Sequence, residues 1–193
     1  MLGLKLPTDP RWVNLAEKSL EEILTDHAYC EQKAATSCIS LIQSYPDKER
    51  LVRELAPVVA EEWQHFRSVI SKLDTLGLKL GFQRKDAYVN ALIQFQKKDG
   101  SRADRRVERL LVCALIEARS CERFRLLSLH LDEEDMRKFY HGFMVSEAGH
   151  YKLFIELART YGKPEKVNAR WQEYLDFEKE LMGQLTPRGD RMH

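Results

Sequence analysis

Apolar residues recur at three- and four-residue spacing through most of this chain. No stretch shows the strict alternation of a half-buried strand, so the pattern predicts helices. Four stripes are long enough to line a core. The first runs Leu20, Leu24, His27, Glu31, Ala34, Cys38, Leu41, and the second Leu55, Val58, Val59, Glu62, His65, Phe66, Val69, Leu73. The third is Leu110, Ala114, Glu117, Cys121, Phe124, and the fourth Tyr140, Phe143, Glu147, His150, Phe154, Leu157. Besides His27, six carboxylates and imidazoles interrupt these stripes where apolar side chains belong: Glu31, Glu62, His65, Glu117, Glu147 and His150.

Turn residues set the expected boundaries. A helical pattern opens after Asp9-Pro10, breaks near Ser19 and runs to Tyr45, where Pro46 and Asp47 end it. Asp47 is expected to cap the next helix, which carries Pro57 inside it and stops at Leu76 before Gly77. Residues 77–104 are the least regular part, with a short helical candidate over Asp86–Gln96. A third long helix is predicted from Asp104 to about His130. Asp132 is expected to cap a fourth, which ends at Tyr161-Gly162. A last helix covers roughly Glu165–Met182, and the tail over 186–193 reads as frayed. Four long helices with the long connection between the second and third predict an all-α, ferritin-like four-helix bundle with additional short helices. Residues 1–193 are expected to form one such domain. At 193 residues, 44% of them apolar, the chain can fill a sizeable core.

Two of the interruptions share a phrase. Glu62-Trp63-Gln64-His65 and Glu147-Ala148-Gly149-His150 are both Glu-x-x-His, which aims a carboxylate and an imidazole at one point from one helix face. One core-register glutamate precedes each phrase by nearly the same distance, Glu31 before Glu62 and Glu117 before Glu147. Two helical hairpins built alike follow, each with Glu on its first helix and Glu-x-x-His on its second. The bare spacing is weak and matches many surface ion pairs. Its position inside the apolar stripes is the stronger signal, because buried carboxylates need a compensating charge. Two metal ions would supply it, held by the helix-bundle donor set of four Glu and two His. Oxygen and nitrogen donors without a thiolate suit iron or manganese. Glu62 and Glu147 are the bridging candidates and Glu31 and Glu117 the terminal ones. Glu122 lies five residues past Glu117, about 140° around the helix, and falls outside that seam. Asp26, Glu61, Glu122 and Asp176 are the available outer partners for the histidines, and the sequence does not choose among them.

Charge and cysteine usage refine this picture. The total is +1, yet the segment from Lys79 to Arg109 carries nine Lys or Arg against four acids, a local excess of +5. Such a stretch is either a solvated connection or a patch that meets phosphates, and Lys97, Lys98, Arg102, Arg105, Arg106 and Arg109 are the candidate RNA contacts. The four cysteines form no C-x-x-C and read as buried thiols of a reducing cytoplasm. No stretch has the apolar length to span a bilayer, and the N-terminus lacks a signal-peptide core.

Three stretches carry a resemblance: 26–35 (DHAYCEQKAA), 116–124 (IEARSCERF) and 146–151 (SEAGHY). They are similar to the tRNA hydroxylase family called MiaE, over nearly the whole chain. The resemblance implies a cytoplasmic di-iron monooxygenase that consumes dioxygen and electrons from an external donor. Its implied substrate is 2-methylthio-N6-isopentenyladenosine beside the tRNA anticodon, hydroxylated on the prenyl side chain, with no role for DNA or a membrane. All six metal positions match the family pattern. A ferritin-type iron-oxidising protein without organic substrate remains the alternative; the 117–124 stretch and the basic connection argue against it.

Overall fold

The computed structural model describes residues 2–193. Among them are seven helices and no strand: α1 (Trp12–Lys18), α2 (Leu20–Ser44), α3 (Glu49–Thr75), α4 (Ala87–Phe95), α5 (Arg102–His130), α6 (Glu134–Tyr161) and α7 (Pro164–Gln184). The four longest of these, α2, α3, α5 and α6, coincide with the four apolar stripes. Ser19 separates α1 from α2, at the expected break. None of the helices is long and apolar enough to cross a membrane. The chain divides into two compact units, residues 14–85 with 188–192 and residues up to 13 with 86–187 and 193.

In the first unit α2 and α3 pack on each other as a hairpin. Leu24, Ala28, Cys38 and Leu41 are buried on α2, and Leu51, Leu55, Val69 and Leu73 on α3. Gly77 ends α3 with φ of +69°, and the amides of Gly77 and Leu78 return to the carbonyls of Asp74 and Leu73. That pair of bonds is the Schellman arrangement, and only glycine adopts its backbone at no steric cost. The N-cap position of α3 is Lys48, one residue past Asp47. The helix begins at Glu49 behind Lys48, and the Asp47 carboxylate pairs with Lys48 Nζ at 2.9 Å.

The tail is not frayed. Met192 is fully buried, its amide donates to Asp26 Oδ2 at 2.8 Å, and Arg191 reaches Asp26 Oδ1 at 3.1 Å. Arg84 holds both the carboxylate and the carbonyl of Asp190. Gly189 passes so close to the Leu15 carbonyl that a Cβ would fall 2.1 Å from it. Composition reads 186–193 as loose because every one of these anchors lies far away in sequence.

In the second unit α5 and α6 form the matching hairpin, with α4 and α7 packed beside them. Ser101 and Asp104 make a reciprocal capping box, so α5 starts two residues before Asp104. The N-cap position of α6 is Glu133, one residue past Asp132, and Arg137 Nη1 gathers the carbonyls of Leu131 and Asp132 at 2.7 and 2.8 Å. Gly162 allows the tight turn into α7, since a Cβ there would sit 2.6 Å from Val167 Cγ2.

One buried charge organises this unit. The Arg119 side chain is fully buried on α5 and donates to Glu178 of α7 (Nε to Oε1, 2.8 Å) and to Glu122 (Nη1 to Oε2, 2.9 Å). Its remaining donors reach Thr8 Oγ1 and the Leu6 carbonyl, while Glu122 also accepts from the Thr8 amide. The extended N-terminal segment is thereby tied to two helices. Burial raises the Glu178 carboxyl and Arg119 opposes that rise. Arg119→Met should destabilise the fold by about 3–5 kcal/mol, because it strands the Glu178 charge in the interior. Urea unfolding followed by circular dichroism measures that loss.

Candidate metal centre

Each hairpin presents two carboxylates and one imidazole from the positions that the stripes single out. In α2–α3 these are Glu31, Glu62 and His65, each with one potential ligand atom, all mutually within 4.8 Å. His65 Nδ1 lies 3.2 Å from Glu31 Oε2 and 3.6 Å from Glu62 Oε2. Glu31 and Glu62 are buried, whereas the His65 side chain keeps 15% of its surface. In α5–α6 the trio is Glu117, Glu147 and His150, again with ligand atoms within 4.8 Å of one another. His150 Nδ1 lies 3.4 Å from Glu147 Oε2, and all three residues are buried.

The helices explain the geometry. Glu62 and His65 are three residues apart on α3, as Glu147 and His150 are on α6, so each pair projects from one face. The lone glutamate comes from the helix packed against that face. Two carboxylates so close together repel each other when both are ionised, and burial amplifies the repulsion. Each trio therefore fits a cation with oxygen and nitrogen preference and offers it no thiolate.

Two further residues belong to these surroundings. His27, one turn before Glu31, is completely buried with Nε2 2.8 Å from Glu31 Oε1. Burial drives its pKa well below the usual value, with His65 adding to the effect. The imidazole is therefore neutral at physiological pH. His27 stands in the first apolar stripe, but no motif spacing gives it a role; its i, i+4 relation to Glu31 is the signal that could have done so. Cys121, one turn past Glu117, donates to the Met144 carbonyl at 3.2 Å. Burial, then Glu147 and Glu117, push its thiol up to about 12.

The outer-partner candidates now separate. Glu61 Oε1 stands 3.9 Å from His65 Nε2. Asp26 is engaged by Arg191 and the Met192 amide, Asp176 by Lys5, and Glu122 by Thr8 and Arg119. Glu122 thus points into the Arg119 cluster, in line with its position around the helix.

The basic connection is divided. Lys79, Arg84 and Lys85 belong to one unit and Lys97 to Arg109 to the other. Within the latter group Lys98, Arg102 and Arg105 are exposed, and Lys97 pairs with Glu173 at 3.4 Å. Arg109 is half-buried. Arg106 is buried with its guanidinium over the Tyr161 ring, 4.5 Å from the centroid, which removes it from any surface footprint. Its register places it toward α6, which charge counting cannot see.

The chain matches known proteins over its length. Residues 2–193 match the family described as tRNA-(MS[2]IO[6]A)-hydroxylase (MiaE). A Pseudomonas putida protein named tRNA 2-(methylsulfanyl)-N(6)-isopentenyladenosine(37) hydroxylase is 37% identical over 159 residues, which is 82% of this chain and 76% of that protein. A Salmonella typhimurium protein of the same name is 27% identical over 233 residues, covering 95% of this chain and 84% of that protein. The solved structure titled "Protein 43 with aldehyde deformylating oxygenase activity", from Synechococcus, superposes with a TM-score of 0.91 at 31% identity. It covers 98% of this chain and 94% of its own.

Two outcomes follow from the local electrostatics. A thiol reagent at pH 8 should modify at most Cys30 and Cys113, since Cys38 and Cys121 are buried and Cys121 stays protonated. Mass spectrometry of the labelled native protein checks this. His27 has a lowered folded-state pKa, so the unfolded chain binds its proton first as pH falls below about 6.5. Stability is retained above that pH and lost below it. Between pH 6.5 and 5.5 the metal-free protein should lose about 1 kcal/mol more than a His27→Leu variant, measured by denaturant unfolding of both.

Proposed function

The chain belongs to the MiaE family of tRNA hydroxylases, and we propose that it is a ferritin-like di-iron monooxygenase acting on 2-methylthio-N6-isopentenyladenosine in tRNA, next to the anticodon. The observation that carries the chemical half of this reading is the repeated buried trio of two carboxylates and one imidazole. Glu31, Glu62 and His65 would hold iron in one hairpin, and Glu117, Glu147 and His150 would hold it in the other. Bound there, iron supplies the redox chemistry that activates dioxygen.

The balance of the reaction sets what else is needed. One oxygen atom enters a C–H bond of the prenyl group and the other leaves as water, so two electrons and two protons must arrive from outside. An external donor is therefore part of the reading. The protein's own residues then have three tasks. The carboxylates and histidines of each trio would hold the metal ion. Phe124, Tyr140 and Phe143 keep the second hairpin apolar beside Glu147: Phe124 stacks on Tyr140 at 5.7 Å and tilts against Phe143 at 5.5 Å. A prenyl chain needs such a wall, because its methyl groups offer no hydrogen bonds. His65 is the most exposed of the six, next to exposed Glu61 and Trp63, which makes the α3 side the approach for substrate.

A protein that only oxidised iron would need no tRNA. The Synechococcus protein's aldehyde deformylating oxygenase activity suggests an aldehyde as a second possibility. The exposed cations Lys98, Arg102 and Arg105 favour the polyanion. The purified protein, given ferrous iron, a reductant and air, should convert the prenylated nucleoside in tRNA to its hydroxylated form, as seen by nucleoside mass spectrometry. His150→Ala should lose at least half of the iron and more than 100-fold in turnover. Full iron retention in that variant would strike His150 from the ligand set. Iron oxidation without any tRNA product would instead support the iron-handling alternative.

A further inference from the structure

The α4–α5 loop and the α6–α7 turn lie far apart in sequence yet line one cavity of about 480 Å³ within the second unit. Lys97, Gly100 and Asp104 come from the first segment, and Lys163, Lys166 and Arg170 from the second and from α7. The charges in its depth are already satisfied. Arg170 Nε and Nη2 hold both oxygens of Glu108 at 2.8 and 2.9 Å, Tyr174 adds a bond of 2.7 Å, and Arg170 Nη1 takes Glu173 at 2.6 Å. Asp104 is engaged by Ser101 in the capping box of α5.

The mouth is different. Lys163 and Lys166 are exposed, and among the described residues neither has a carboxylate within 4.0 Å. Lys98 and Arg105 are exposed on the facing segment, where Arg105 Nη1 is steadied by the Gly100 carbonyl at 2.7 Å. The two sides share one electrostatic neighbourhood. Ser101 chiefly holds the Asp104 carboxyl below its ordinary value, and Lys166 and Arg105 both contribute. Lys163 and Lys166 thus stand in the lining without a pairing acid, beside three exposed acids, Asp99, Asp104 and Glu173, of which Glu173 is held by Arg170 and Lys97. A solvated charge run has no reason to converge from two separate turns onto one cavity. A backbone of spaced negative charges is what such a rim complements.

We propose that this cleft docks RNA phosphates, with Lys163 and Lys166 as its principal cations and Lys98 and Arg105 on its opposite edge. The proposal rests on the tRNA reading above and adds a place to it. Along α5 the cleft's outer lining residue, Asp104, stands 13 residues before Glu117, a distance of roughly 20 Å at 1.5 Å per residue. Along α6 the cleft begins 12 residues past His150, roughly 18 Å. The cleft therefore grips the tRNA several nucleotides away from the base being modified. Its role is to position the substrate, and the reacting atoms never touch it.

The test is tRNA binding by iron-loaded protein across a salt series, with total tRNA as the probe. The double variant Lys163→Glu/Lys166→Glu should bind at least tenfold more weakly at low salt. Its dependence of log K on log salt should be flatter by about 1.5, for two lost phosphate contacts. The neutral pair Lys163→Gln/Lys166→Gln should fall between the two. Iron content and helical circular dichroism should match wild type in both, since these side chains hold no other residue. Lys138→Glu, on exposed α6 surface away from the cleft, should bind as wild type does. Unchanged affinity and slope in the double variant, with wild type binding normally, would overturn the cleft and leave the hydroxylase reading standing. Absence of salt-dependent tRNA binding by wild type would overturn both.

Discussion

Everything in this protein depends on placing ionisable groups in a helical interior without leaving their charge uncompensated. Each hairpin brings two carboxylates and an imidazole to ligand atoms within 4.8 Å. In an apolar interior that concentration of negative charge is unfavourable by several kcal/mol unless a cation answers it. The register of all four long helices follows, because each must turn its glutamate inward and keep its apolar stripe inward as well. Neutral His27 and protonated Cys121 fit the same requirement, since neither adds to the charge beside the carboxylates. Metal binding and folding would therefore be linked here, because occupation by a cation would strengthen the packing that creates the site.

The Arg119 cluster meets the same constraint by another route. Glu122 and Glu178 are also buried carboxylates, but a guanidinium on the same unit answers them directly. Five donors in a fixed fork suit a permanent pairing, and they leave no position open to a ligand. The contrast separates structural carboxylates from candidate ligands more cleanly than burial does. Both kinds are equally hidden; what differs is whether arginine or histidine lies beside them.

This contrast also explains what could be read from the chain alone. The helix periods, the punctuation at Ser19, Gly77 and Gly162, and the six core-register carboxylates and imidazoles are local patterns, and all are visible in sequence. The N-cap positions fall on Lys48 and Glu133, one residue past Asp47 and Asp132, because several polar residues stand near each turn and only three-dimensional contacts choose among them. The tail was read as loose because Asp26, Arg84 and Leu15, which hold it, are far away along the chain. Arg106 and Arg119 look like surface charges in a sequence, since nothing local distinguishes a buried guanidinium from a solvated one. Lys163 and Lys166 escaped notice for a related reason: only folding brings their turn beside the basic stretch that charge counting finds.

Fold alone does not select the substrate, because one scaffold of this kind serves different chemistries. The proposed metal donors would define what reaction is possible, and they would be indifferent to whether the carbon belongs to a free molecule or to an RNA. Discrimination must come from groups that a small substrate never reaches. A net charge of +1 gives little general attraction to polyanions, so a local cleft with unneutralised lysines carries more weight than it would in a strongly basic protein. Placing those cations roughly 20 Å from the ligands makes recognition depend on a substrate long enough to span both points. A free nucleoside would engage only the metal end and gain none of that binding energy. An RNA of the right shape would engage both, and a reaction centre with no means of reading a sequence would thereby be confined to one class of macromolecule.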